Sequence, residues 1–273
     1  MQWYHRWSPT LGSLDDTPEN IWHTLPYDPE LHINEPTVFC GIYSLNDFFA
    51  LWRHKGRKLI WWTGSDIRRF NEGYWLDDTG DIRAMSGPMA DWISKYCESW
   101  VENDVEARLL AEWGIEASVC PSFLGDVSQY KVSFKPGNKV YASVSGDDFE
   151  LYCWPEIEVL AKNHPKIEFH LYGNSREWKT DNNNVIVHGR VPKEQFNKEI
   201  EDMQGGLRLL KFDGFSEVIA KSILMGQYPI SAIPYPGVLH VSEIEQILDK
   251  NEPNISARDY YLKELNNYPW IKE

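Results

Sequence analysis

Residues 185–196 read Val185-Ile186-Val187-His188-Gly189-Arg190-Val191-Pro192-Lys193-Glu194-Gln195-Phe196. Three β-branched residues in a row favour an extended strand. Gly189 interrupts it, and Pro192 suits the first turn of a helix, where its missing N–H would have had no partner anyway. A short apolar strand that passes at once into a helix is the repeating unit of a parallel α/β sheet. The same rhythm continues on both sides. Strands are expected over 139–145, 167–172, 206–210 and 228–232, with helices over 153–163, 192–200, 216–225 and 242–250. Nearer the start, strands are expected over 37–43, 58–63, 97–101 and 117–120, with helices over 45–54, 88–96 and 104–113. Residues 1–36 read as irregular because Pro9, Pro18, Pro26, Pro29 and Pro36 break any long element. Residues 71–87 read as loop and 122–137 as a connection. Two strand–helix series joined by a connection predict two Rossmann-like domains, 1–125 and 126–250, followed by a helical tail over 251–273 with its helix at 256–267.

Composition narrows the functions open to such a chain. Its 273 residues carry 41 acidic and 27 basic side chains, a net charge of −14. That field repels nucleic acid, whose binding needs clustered Lys and Arg. No apolar run approaches the roughly 18 residues that span a bilayer. Met1-Gln2-Trp3-Tyr4-His5-Arg6 has no apolar signal-peptide core, so a cytoplasmic location is expected. Cys40, Cys97, Cys120 and Cys153 lack CxxC spacing and read as structural thiols in a reducing compartment. The 13 Trp residues serve either as core material or as stacking platforms for sugar rings. No GxGxxG follows a strand, which counts against a pyridine-nucleotide oxidoreductase or an epimerase, and neither a GxSxG elbow nor a P-loop is present.

In an open parallel sheet, ligands bind beyond the C-terminal ends of the strands, often on helix N-termini. The residues to weigh are therefore Ser145-Gly146-Asp147-Asp148, Gly173-Asn174-Ser175-Arg176, Gly189-Arg190-Val191-Pro192 and Lys211-Phe212-Asp213-Gly214-Phe215-Ser216. In the last run Gly214 permits close backbone approach, Ser216 suits a helix cap, Lys211 suits a phosphate and Asp213 suits sugar hydroxyls. In the first half, Asp66 at a strand end either accepts a proton from an acceptor hydroxyl or caps the next helix through an Asx turn. His170 and His188 read as ordinary strand residues. Asp77-Asp78 with Asp81, and Asp147-Asp148, lack the spacing of a DxD metal motif, so no metal site is expected.

Val185 to Phe196, then Asp213-Gly214-Phe215-Ser216 opening a helix, then Gly226-Gln227-Tyr228-Pro229-Ile230-Ser231, resemble the donor half of GT-B glycosyltransferases, nearest the retaining family-4-like ones. Trp61-Trp62-Thr63-Gly64-Ser65-Asp66 is similar to a strand-to-loop motif of their N-terminal domains. The resemblance spans roughly residues 37–270 and rests on the order and spacing of these motifs. It implies two Rossmann-like domains facing across a cleft, with the C-terminal helix crossing back to the N-terminal domain. It implies transfer of a sugar from a nucleotide diphosphate donor to a carbohydrate or other hydroxyl acceptor, retaining, with the donor as substrate and neither metal nor cofactor required. The donor-side residues it implies are Gly173, Arg190, Val191, Lys211, Asp213, Gly214, Phe215, Ser216 and Lys221. The acceptor side would hold Tyr43, Gly64 and Ser65, with Asp66 as the candidate catalytic group.

Two departures accompany the resemblance. The family's paired glutamates, with seven residues between them, map to Asp213 and Lys221, so a base stands where an acid usually holds the donor ribose. Lys221 then either meets a phosphate or faces solvent. The loop after residue 145 carries Asp147, Asp148 and Glu150 where basic residues usually grip the diphosphate, which leaves Lys211, Arg190, Arg176 or Arg208 to supply that charge. A GT-B-shaped nucleotide-sugar or carbohydrate-binding protein without catalysis is the alternative these departures raise.

Overall fold

A computed structural model describes residues 1–14, 23–72, 82–144, 149–173 and 178–271. The chain divides into two compact units. The first comprises Met1–Leu124, Phe212–Phe215 and Glu264–Glu273, the second Gly125–Lys211 and Ser216–Lys263.

The first unit contains β1 (Tyr4–Trp7), β2 (Leu25–Pro26), β3 (Thr37–Cys40), α1 (Leu45–Arg53), β4 (Lys58–Trp61), α2 (Ser65–Glu72), α3 (Ile82–Tyr96), β5 (Glu98–Val101), α4 (Asp104–Ala111) and β6 (Ala117–Val119). Its strands form one sheet in the order β2-β1-β3-β4-β5-β6, and the described pairs are all parallel. The apolar runs at β3 and β4 are buried on both faces, as parallel strands require. Phe39 and Ile60 join a core with Ile42, Trp62, Phe70 and Ile93 on one face. Val38, Cys40, Leu59 and Trp61 join Trp3, Tyr268 and Trp270 on the other.

The second unit contains β7 (Lys139–Ser143), α5 (Trp154–Asn163), β8 (Glu168–Tyr172), β9 (Val185–Gly189), α6 (Lys193–Ile200), β10 (Gly205–Arg208), α7 (Glu217–Leu224), β11 (Ile230–Ser231), β12 (Leu239–His240) and α8 (Ile255–Glu264). Its sheet runs β12-β11-β10-β7-β8-β9, again with parallel pairs. Read from β9, that is the doubly wound order 3-2-1-4-5-6, with its switch point between β7 and β10. Phe169, Leu171, Val140, Trp154 and Ile230 fill its core.

Several expectations need correction. The stretch 1–36 is not wholly irregular: β1 inserts beside β3, with Tyr4 opposite Thr37 and Trp7 opposite Cys40. Its residues are only partly buried, which hid it from a hydrophobicity reading. Helix α3 begins at Ile82, within the stretch read as loop, and carries Pro88 inside it. The turn expected at 64–66 opens the helix α2. Residues 241–249 form a 3-10 segment capped by His240, not an α-helix. The return of the C-terminal segment is made by residues 264–273, which cluster with the first unit, while the chain as far as Lys263 clusters with the second. There Asn266 exchanges two hydrogen bonds with the backbone of Phe123, receiving its N–H at 2.8 Å and donating to its carbonyl at 2.7 Å. Among the described Trp residues only Trp52 is exposed, so the tryptophans serve chiefly as core. No described helix is long and apolar enough to cross a membrane, and all four cysteines are free.

Phe169 lies on β8 in the core of the second unit with no exposed surface. Phe169→Ala should destabilise the second unit by about 3–5 kcal/mol, transfer and cavity terms together. The shift of the denaturant midpoint checks this.

Candidate functional site

A cavity of about 510 Å³ opens at the switch-point edge of the second unit. Its floor is the carboxyl ends of β7 and β8: Ser143, Val144, Tyr172 and Gly173. Gly173 has φ +94°, and any Cβ there would strike the Val144 carbonyl, so this wall is built for backbone alone. Arg190 and Val191, beyond β9, form one side, with Lys193 and Phe196 from α6. Glu217 and Lys221 from α7 complete it.

The cavity thus gathers three cations against one carboxylate, and that carboxylate is already paired. Lys221 Nζ lies 2.9 Å from Glu217 Oε2, one helical turn away. The Lys221 side chain is only 7% exposed, whereas Glu217 is 59% exposed. Lys221 also sits 5.4 Å over the Phe196 ring, a cation–π contact. The alternative of a solvent-facing Lys221 is therefore not what the fold adopts.

Of the donor-side residues expected from sequence, Gly173, Arg190, Val191 and Lys221 line this cavity. Lys211 is exposed and outside its lining, and Ser216 caps α7 by accepting the Val218 N–H at 3.3 Å. Arg208 stacks 4.9 Å from the Tyr152 ring. Ser145–Asp148 and Asn174–Arg176, with Asp77, Asp78 and Asp81, lie outside the described residues. Among the described residues, no group of three His, Cys, Asp or Glu side chains is placed to hold a metal ion.

Asp213, Gly214 and Phe215 are brought together with the first unit instead. Glu102, just past β5, accepts the Phe215 N–H on Oε2 at 2.8 Å and the Ser122 hydroxyl on Oε1. Asn103 donates to the Asp213 carbonyl at 2.8 Å while its own Oδ1 caps α4. Gly64, with φ +87°, packs so closely that a Cβ would fall 2.8 Å from the Gly214 nitrogen and 2.9 Å from Glu106 Oε1. Burial raises the Glu102 carboxyl above its ordinary range, helped by Asp213 and Asp66 and opposed by the Ser122 and Phe215 hydrogen bonds. Burial likewise pushes Glu106 well up, with Glu102 adding to it. Glu106 Oε2 accepts the Glu102 N–H at 2.9 Å, and its Oε1 is buried without a hydrogen-bond partner.

The acceptor-side candidates also meet. The Tyr43 hydroxyl lies 2.8 Å from both Thr63 Oγ1 and Ser65 Oγ, under the Arg69 guanidinium. Burial holds that phenol well above its usual pKa. Asp66, however, has no exposed surface. Its Oδ2 accepts the Ile42 N–H at 3.0 Å, and its Oδ1 accepts Thr63 N–H at 3.0 Å and Ile67 N–H at 2.9 Å. The carboxylate thus ties the loop after β3 to the turn after β4, the capping alternative rather than a group facing a substrate.

Sequence reasoning missed Glu102, Asn103 and Glu106, because it weighed strand ends chiefly in the second half. The boundary at Val101 already placed Glu102-Asn103 in such a strand-end turn. It also missed Tyr172, Lys193, Phe196 and Glu217, although the Glu217–Lys221 spacing of one helical turn was visible.

The fold is shared with known proteins. The structure aligns with TarM at TM-score 0.54 and 13% identity over 89% of this chain. It aligns with the lipopolysaccharide outer core galactosyltransferase WaaB at TM-score 0.55 and 12% identity, covering 97% of this chain and 95% of that one. The fold is GT-B. Sucrose-phosphate synthase from Thermosynechococcus elongatus aligns at TM-score 0.52 and 10% identity over 84% of this chain and 64% of that one. This chain spans about half of TarM (53%) but nearly the whole of WaaB. A second TarM structure, from S. aureus, is a complex with UDP. No family model and no curated protein matches the sequence.

Burial raises Asp66 to about 6 from 3.8, against the pull of its three backbone donors. The folded chain then holds this proton more tightly than the unfolded chain. Stability from this group is present below about pH 3.8 and lost as pH rises through about 6, on the order of 3 kcal/mol in all. Asp66→Asn should remove that slope. It should also lose about 1–3 kcal/mol at neutral pH if its amide nitrogen is set against the Ile42 N–H. Unfolding free energies measured from pH 4 to 7 check both.

Proposed function

We propose that this chain is a glycosyltransferase: it binds a nucleotide-diphosphate sugar in the cavity of the second unit and transfers the sugar to a hydroxyl acceptor. The observation that carries this reading is the cavity itself, at the switch point of a doubly wound sheet, with Arg190, Lys193 and Lys221 on its walls. A diphosphate needs concentrated positive charge in a protein whose net charge is −14. Lys221, held nearly dry beside Glu217 in α7, would on this reading neutralise charge that grows on the leaving diphosphate. On this reading Glu217 holds Lys221 in position, and the departing nucleotide needs no metal ion. The hydroxyl cluster of Tyr43 and Ser65 is the proposed acceptor-side surface, with Asp66 positioning it from below. No side chain stands out as an enzymic nucleophile, so for a retaining outcome the leaving phosphate itself would assist the acceptor.

The second reading, a binding protein without turnover, draws on one observation. The Phe215 N–H, expected to face the donor, is bonded to Glu102.

Calorimetric titration with UDP-, GDP-, ADP- and CDP-linked sugars tests donor binding. One donor is expected to bind, and Arg190→Ala or Lys221→Ala should each weaken it about 10- to 100-fold, the worth of a charge-assisted hydrogen bond. Unchanged affinity in both variants would remove the cavity from the proposal. Slow release of nucleoside diphosphate without acceptor marks a transferase, and tight binding with no release marks the binding protein.

A further inference from the structure

Behind the Tyr172 wall of the cavity lies a chain of five polar side chains that neither the sequence reading nor the donor proposal uses. It begins at Glu168 and His170 on β8, crosses to His188 on β9, and returns through Glu199 on α6 to Tyr172. A β-bulge creates the crossing: Leu171 pairs with Val187 but Tyr172 pairs with Gly189, so His188 is the extra residue. Its ring stacks between neighbours, 4.2 Å from Tyr172 at 8° and 5.0 Å from His170 at 20°.

The hydrogen positions follow by elimination. Glu168 Oε1 lies 2.7 Å from His170 Nε2 and 3.7 Å from Lys139 Nζ. Beside that ammonium the carboxylate only accepts, so His170 Nε2 carries the hydrogen. In a neutral ring His170 Nδ1 is then bare. The 2.8 Å bond between His170 Nδ1 and His188 Nε2 must therefore be donated by His188. That leaves His188 Nδ1 bare as well, and it faces Glu199 Oε2 at 3.6 Å. A lone pair confronts a carboxylate, with no hydrogen between them. Glu199 is meanwhile engaged from its other sides by the Tyr172 hydroxyl at 2.7 Å and the Gln195 amide at 2.7 Å.

We infer that these five residues form a proton wire one proton short, whose loading at His188 Nδ1 puts a positive charge behind the Tyr172 wall and tightens the cavity's hold on an anion. Loading breaks no bond in the chain. The proton from solvent binds the Nδ1 lone pair, His188 then donates to Glu199, and its existing bond to His170 remains. Among the described residues, the groups facing His188 are His170, Glu168 and Tyr172 on β8, Lys139 on β7 through Glu168, and Glu199 on α6. Lys221 lies beyond Phe196, whose ring meets Tyr172 edge-on at 5.1 Å. Burial holds His188 below the ordinary imidazole value of 6.5 while Glu199 pulls it back up, so loading falls on the acid side of neutrality. An anion in the cavity favours the loaded form, and affinity therefore rises as pH falls.

The inference rests on the donor reading only for its ligand effect, and the test separates the two. Imidazole ¹⁵N shifts of the full-length chain are followed from pH 8 to 5, with His170→Gln and His188→Gln used for assignment. Nε2–H tautomers for both rings at pH 8, first uptake at His188 Nδ1, and a lower midpoint in Glu199→Gln are the expected result. Two rings titrating independently, with the same midpoints in Glu199→Gln, would overturn the wire. For the ligand effect, UDP-, GDP-, ADP- and CDP-linked sugars, whose diphosphate charge is constant in this range, are titrated at pH 8 and 5.5. A rise in affinity of roughly 3- to 10-fold, as one added charge at this remove supplies, and a flat response in His188→Gln, support the coupling. Equal pH dependence in wild type and variant, or no binding at either pH, overturns the coupling and leaves the wire to be judged by its own spectra.

Discussion

Because the paired strands in both units run parallel, each connection must cross back over the sheet, and every strand must end at the same edge as its neighbours. The chemistry of the molecule is concentrated by that constraint. Tyr43, Gly64 and Glu102 leave β3, β4 and β5 together, and Val144, Gly173 and Arg190 leave β7, β8 and β9 together. The N-termini of α1, α2, α4 and α6 come to the same edge, since each of these helices begins within a few residues of a strand's end. A shift of pairing by one residue would turn half of these side chains into the core. The double-sided burial of Phe39, Cys40, Ile60 and Trp61 is what forbids the shift.

The two edges are built on opposite electrostatic plans. In the second unit, Lys221 is kept nearly dry by one exposed glutamate and one aromatic face, which leaves the cavity open to an anion. In the first unit, Asp66 and Glu106 are buried and Glu102 half-buried, and their negative charge is met chiefly by backbone N–H groups and one serine. Burying carboxylates this way favours their protonated forms. The three groups therefore act as structural ties whose strength depends on proton occupancy.

Much of the fold was legible in the sequence because it rests on short, strongly apolar strands and on glycine or proline at their ends. Lys58 to Trp61 and Val185 to Val187 could hardly be anything else. What escaped notice was held by partners distant in sequence. Strand β1 has half-buried polar residues and gains its place only by pairing with β3. The part played by Asp66 depends on the Ile42 N–H, 24 residues away. His170 and His188 looked unrelated because the bulge that sets one against the other is a property of pairing, not of local pattern. Gly214 read as a point of close backbone approach and Phe215 as a donor-side residue, but the sequence did not say that Glu102 would approach both.

The division of the chain into units also has a temporal side. The first unit takes in Tyr268 and Trp270, which stack at 4.7 Å and fill the core beside Trp3 and Trp61. During synthesis those residues emerge after the whole of the second unit. The second unit, complete at Lys263, has its whole sheet available while the first still lacks two large aromatic rings and the asparagine that holds Phe123. Growth from the N-terminus usually lets the first domain fold first. Here the order of completion is reversed, and the earlier-made sheet must wait for residues 264–273 to close its core.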